Sequence, residues 1–144
     1  MRWSILQRFE FIEFRLLWEG YINRKDIIER FKVSVPQAST DLKQYKKKAP
    51  GNMLYNRRGK KYFATSKFNP VFISTDAKSY LSQINMISSG LIEKNETSIG
   101  HLPDFDILPS LDRSIGKDIL KKIIMAIRDK KTIELEYQSM TRYY

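Results

Sequence analysis

Gln37, Thr40, Lys43 and Gln44 recur at intervals that place them on one face of an α-helix. Glutamine can make a bidentate contact to adenine, lysine can reach guanine acceptors, and threonine can meet a thymine methyl or a polar base edge. These four are the candidate base readers. Groups suited to phosphate surround them: Ser34 and Ser39 near the start of the same helix, Arg24 near the start of the preceding one, and Lys46, Lys47 and Lys48 toward the end. Arg57, Arg58, Lys60 and Lys61 follow, placed to lie along a DNA backbone or to enter a minor groove. An ordinary solvated surface explains any one of these residues. The combination points to double-stranded DNA.

The charge distribution agrees. Of 144 residues, positions 1–67 hold 16 Lys and Arg against 6 Asp and Glu, whereas positions 68–144 hold 10 of each. The whole net charge of +10 therefore sits in the first half, as expected for a polyanion-binding module joined to a neutral one. From Leu42 to Thr75 there are nine basic residues and no acid. With no cysteine, neither a disulfide framework nor a thiolate metal site is available. No apolar run approaches transmembrane length, and Met1–Gly20 carries too many charges for a signal peptide, so a cytoplasmic protein is the expectation.

The elements that must position these groups read as follows. A first helix runs from a Ser4 N-cap to Gly20, a plausible residue to follow the C-cap. Ile5, Phe9, Ile12 and Leu16 follow helical spacing, while Leu6, Phe11, Phe14, Leu17 and Trp18 widen the apolar surface beyond what one packing face needs. That excess fits either a contact with a second subunit or a well-buried first helix. Asn23 caps a short helix from Arg24 to Phe31, with Ile27, Ile28 and Phe31 inward. Lys32-Val33 forms the turn, Ser34 caps the next helix, and Ala38, Leu42 and Tyr45 are its inward stripe. Two short helices joined by a tight turn are a helix-turn-helix. Beyond Pro50-Gly51-Asn52, two short strands, Met53-Leu54-Tyr55-Asn56 and Lys61-Tyr62-Phe63-Ala64, flank Arg57-Arg58-Gly59-Lys60, with Gly59 expected to supply positive φ at the tip. A basic hairpin in this place is a wing.

Past Pro70 the texture changes. Asp76 caps an expected helix to about Ser88, with Ala77, Tyr80, Leu81, Ile84 and Ile87 on one side. Residues 89–114 read as loop, Ile115 or Lys117 opens another amphipathic helix, and Thr132 to Tyr137 alternate as a half-buried strand. The fold class is thus mostly α with a small β wing: a winged helix-turn-helix over 1–70, a linker with one helix over 71–114, and a helix and first strand of an incomplete unit over 115–144.

Nothing supports catalysis or a cofactor. His101, the only histidine, reads as a surface or packing residue. Asp104, Asp106 and Asp112 lack metal-ligand spacing, and no phosphate loop or nucleophile motif is present. Trp3, Trp18 and most of the Phe and Tyr residues read as core, while Tyr55 and Tyr62 fit either core or base stacking.

Several segments resemble a family of bacterial WYL-domain transcriptional repressors found beside phage-defence operons of the BREX and CBASS kinds. They are Arg2-Trp3 with Leu6 to Glu13, Trp18-Glu19-Gly20 with Ile22-Asn23-Arg24, Ser34 to Ser39 with Asp41-Leu42 and Tyr45, and Ala49 to Asn52 with Tyr55 and Lys61-Tyr62. The likeness is dense over 1–73 and returns from Ile119 to Ser139, where Ile133 to Ser139 looks like the entry into the WYL barrel. The resemblance implies a homodimer on a palindromic operator, repressing a defence operon or its own gene. It also implies that the effector site of the WYL domain lies outside this chain, which is then expected to be a fragment of a longer regulator rather than a natural truncation. Two other readings remain at this point: a winged helix that docks an acidic protein partner, motivated by the apolar first helix, and an RNA-binding module, motivated by the wing tyrosines.

Overall fold

Helix α1 (Trp3–Trp18) runs between two separate apolar cores, and this accounts for its surplus of large side chains. Phe9, Phe11, Ile12 and Leu16 face one core; Phe14, Leu17 and Trp18 face the other. Both faces are covered within the chain itself, which accounts for the apolar excess, although Trp3, expected in the core, is 72% exposed at the start of the helix. The structure, a computed structural model, describes residues 2–103 and 116–134. Asp104, Asp106, Asp112 and the later part of the expected terminal strand, 135–137, lie outside the described residues, while Thr132, Ile133 and Glu134 carry no regular secondary structure.

The front core is built by α1, a two-residue strand β1 (Tyr21–Ile22), helix α2 (Arg24–Phe31), helix α3 (Val35–Lys48), and strands β2 (Met53–Asn56) and β3 (Lys61–Ala64). The sheet is antiparallel in the order β1-β3-β2, with Tyr21 opposite Phe63, Leu54 opposite Phe63, and Tyr55 opposite Tyr62. Strand β1 was not expected from the sequence, because two residues show no period. Asn23 and Asp26 form the reciprocal capping box that starts α2. Lys32 ends it in the left-handed region at φ 56° and returns its N–H to Ile28, which makes the tight turn into α3. The inward stripe Ala38, Leu42 and Tyr45 is fully buried, as its spacing requires.

Two local expectations are corrected. Helix α1 begins at Trp3, ahead of the expected Ser4 cap, with Arg2 in the capping position and no side-chain hydrogen bond. In the wing, positive φ falls on Lys60 (φ 54°) and not on Gly59. The four-residue turn closes the Asn56–Lys61 pair, so the left-handed step comes at its last residue. Gly59 takes no positive φ, a Cβ there would meet the Phe63 ring at ordinary contact distance, and its N–H donates to Asn56 Oδ1.

The rear core joins α1 to helix α4 (Ala77–Ser88), to Ile99 in the segment that follows it, and to helix α5 (Lys117–Asp129). Asp76 caps α4 as its sequence suggests, and Ala77, Tyr80 and Ile84 are buried. A short 3-10 turn at Lys94–Glu96 interrupts the expected loop. Leu81 on α4, expected to face inward with its stripe, is exposed, as is Ile119 on α5.

Candidate nucleic-acid interface

Helix α3 lies on the front core through its inward stripe, and Thr40, Lys43, Gln44, Lys46, Lys47 and Lys48 are all exposed on its other side. Its first turn is fixed by Ser34, whose hydroxyl oxygen accepts the Gln37 N–H at 3.2 Å. Ser34 therefore keeps only its hydroxyl proton to offer a phosphate. Arg24, at the head of α2, donates to Ser39 Oγ at 3.3 Å and so ties the starts of the two helices together on the exposed side. Arg57, Arg58 and Lys60 form the exposed tip of the wing.

Between α2, α3 and the wing runs a groove of about 490 Å³, lined among others by Arg24, Lys25, Ser39, Tyr55, Lys60 and Tyr62. No carboxylate lines it. Tyr55 and Tyr62 meet edge to face with centroids 4.9 Å apart, which spends one ring on the other rather than presenting a free stacking platform. Lys61 is the candidate that the geometry sets apart. It lies on the outer face of the sheet with its ammonium 4.1 Å over the Tyr21 ring. Gln37 is half buried, its amide nitrogen donating to Asp41 Oδ1 at 2.9 Å.

The electrostatics are sharper than the composition suggests. From Val35 to Ala64 there are eight Lys and Arg and one acid, Asp41, and that acid is 0% exposed. Glu13 and Glu19 on α1 are buried as well. Within the stretch from α3 through the wing, folding buries the one acid and leaves most of the basic side chains outside, which strengthens the field a polyanion meets.

The buried acids were not assigned roles from the sequence, yet they hold the interface in place. Glu13 accepts from the Tyr45 hydroxyl at 2.9 Å and from the backbone N–H groups of Val71, Phe72 and Ile73 at 2.7–3.1 Å. Asn52 donates to the same hydroxyl and brackets the backbone of Asn69. Burial above all, with help from the Glu13 carboxylate and against the Asn52 hydrogen bond, pushes the Tyr45 phenol far above its ordinary range, so it stays a donor. The signal was present: Glu13 stands inside Phe11-Ile12-Glu13-Phe14, and Asp41 lies on the stripe of Ala38 and Tyr45. An acid on an inward stripe needs partners from elsewhere in the chain.

Among the described residues no group of side chains could hold a metal ion, and no helix is long and apolar enough to cross a membrane. His101 is exposed; its backbone N–H donates to Glu19 Oε2.

A three-helix front layer with a basic hairpin after its third helix defines a winged helix-turn-helix protein. The chain belongs to the BrxR transcriptional regulator winged helix-turn-helix domain family, which it matches over residues 4–86. This is a family of regulators and not of enzymes. The chain is also 36% identical over 140 residues to a protein from Stenotrophomonas maltophilia described as the DNA-binding transcriptional repressor CapW. Proteins of the same description from Pseudomonas aeruginosa and Escherichia coli (strain KTE188) are 37% and 34% identical over 140 residues. Each comparison covers 97% of this chain and 47% of the relative, so the chain spans about half the length of the curated relatives it matches.

Proposed function

We propose that this chain is the DNA-binding part of a cytoplasmic transcriptional repressor that reads double-stranded DNA in a sequence-specific way. The observation that carries this reading is the face formed by α3 and the wing, where every lysine and arginine except Lys61 is free of the sheet's outer side and the single acid is buried. Helix α3 enters a major groove with Gln37, Thr40, Lys43 and Gln44 toward the bases. Arg24, Ser34, Ser39, the Lys46–Lys48 run and Arg57, Arg58 and Lys60 hold phosphates, and Lys61 joins them only by leaving Tyr21. The relatives' description as repressors supports silencing, and the resemblance to phage-defence regulators supports a defence operon or the protein's own gene as target. A homodimer on a palindromic operator would set two copies of α3 about 34 Å apart, in successive major grooves. Residues 1–70 supply the DNA contacts in this reading, 71–114 a linker, and 115–144 the start of a WYL domain whose effector site lies beyond this chain.

The test is fluorescence anisotropy on the DNA upstream of the protein's own gene, beside a scrambled duplex, at several salt concentrations. The expected result is a preference of at least about a hundredfold for the native site, with affinity falling steeply as salt rises. Weak and equal binding to both duplexes would overturn it.

A further inference from the structure

A Ser at the N-cap with Gln three residues later ordinarily forms a reciprocal capping box, the glutamine reaching back to the first backbone N–H. Helix α2 makes both arms of such a box with Asn23 and Asp26, but α3 makes only one. Ser34 caps Gln37, while the Gln37 side chain turns forward by one helical turn and donates from Nε2 to Asp41 Oδ1 at 2.9 Å. The other oxygen of Asp41 accepts from Arg8 Nε on α1 at 2.6 Å, across 33 positions of sequence. The Asp41 side chain is 0% exposed and that of Arg8 is 11% exposed.

This chain of contacts decides which way the Gln37 amide faces. An ionised carboxylate only accepts hydrogen bonds, so the amide nitrogen and not the oxygen must point at Asp41. A carboxylate as deeply buried as Asp41 needs its cation, and Arg8 thereby fixes the acceptor to which Gln37 is tethered. Gln37 Oε1 is not among the buried atoms that lack a partner, and no donor among the described residues reaches it. It is left, with the second Nε2 hydrogen, to face outward from the first turn of α3. One acceptor beside one donor is the pattern that pairs with adenine N6–H and N7. A free glutamine could also turn over and offer both of its N–H groups to guanine, and it would have to immobilise three torsions on contact.

Resting on the DNA-binding reading above, we infer that Arg8 and Asp41 are positioning residues for sequence recognition, locking Gln37 as a reader of adenine. Arg8 does this from α1, outside the α3 face itself.

The test compares base preference, position by position, for wild-type protein and three variants on duplexes with each base pair substituted in turn. Gln37→Ala marks the position that Gln37 reads. Arg8→Lys keeps a cation and a donor beside Asp41. Arg8→Met combined with Asp41→Leu removes both charges together, so no ion is left buried alone and the fold is kept, which circular dichroism and the melting temperature check. Wild type and Arg8→Lys should prefer adenine at the marked position by about 5- to 150-fold, the discrimination of one bidentate contact. The double variant should fall to within about threefold there, while its preference elsewhere and its salt slope stay as in wild type. Unchanged adenine preference in the double variant, a uniform loss at every position, or preference for another base at the marked position would overturn the relay alone. Absence of any base preference in wild type would overturn the DNA-binding reading and the relay with it.

Discussion

The two faces of α1 bury similar aromatic side chains and treat their polar groups differently. On the front, the Tyr45 hydroxyl both donates to Glu13 and accepts from Asn52, and the Glu13 carboxylate takes four donors. On the rear, the Tyr80 hydroxyl, Trp18 Nε1 and Glu19 Oε1 have no hydrogen-bond partner among the described residues. Arg15 Nη1 lies 3.5 Å from that same Glu19 oxygen, an attraction between charges without hydrogen-bond alignment. Both phenols are pushed above their ordinary range, Tyr45 chiefly by burial and Tyr80 by burial and then the Glu19 charge, so ionisation does not separate them. What separates them is satisfaction. A fully bonded polar network fixes one arrangement of the elements around it, and the front is where α3 must be held still. The rear keeps polar contacts too, with Glu19 Oε2 accepting from the Gly100 and His101 N–H groups and Arg15 donating to the Ser98 carbonyl. Its three unbonded polar atoms leave it less fixed, and it should open first.

The largest expected effect tests the front. Glu13→Ala strips the acceptor from three backbone N–H groups and the Tyr45 hydroxyl, and should cost about 3–5 kcal/mol in urea unfolding. A loss below about 1 kcal/mol would remove the contrast between the faces. Next, Tyr45→Phe leaves Glu13 and Asn52 each one partner short, and should cost about 1–3 kcal/mol by the same measurement. A smaller effect concerns the strap that crosses the back of α2, where Arg30 donates to the carbonyls of Glu96 and Thr97 at 3.0 Å. Arg30→Met should lower stability by about 1 kcal/mol. Hydrogen exchange should also show the amides of Ser98, Gly100 and His101 losing protection while those of Val71 to Ile73 keep theirs. Equal loss in both segments would mean that the faces open as one unit. The smallest change is Tyr80→Phe, which removes a buried hydroxyl with no partner among the described residues and should alter stability by no more than about 0.5 kcal/mol, on the stabilising side. The same atom deleted from two buried tyrosines would then give opposite signs.

Helix α3 was legible in the sequence because its apolar stripe is local: Ala38, Leu42 and Tyr45 declare the inward side without reference to any other element. The wing was legible from its turn residues and flanking strands, although not the residue that takes the left-handed step. What stayed hidden depends on partners far along the chain. Glu13 meets residues 58–60 positions away, Arg15 meets Ser98 across 83, and Arg8 meets Asp41 across 33. Periodicity shows that a side chain points inward and says nothing of what waits there. The double apolar surface of α1 left its two explanations open for that reason, and only the packing of α4 and α5 decides between them. For Gln37 the residue type already suits a base contact, while its tether to Asp41 emerges only with the fold.

The grip of Glu13 on Val71, Phe72 and Ile73 bears on where this molecule can be cut. A piece ending at Pro70 would carry every residue assigned to DNA, yet Glu13 would keep only the Tyr45 hydroxyl of its four donors. Phe14, Leu17 and Trp18 would meanwhile be laid open to water along the other side of the helix. The part that recognises and the part that survives excision have different edges, and anyone grafting this reading head onto another protein should take the longer one.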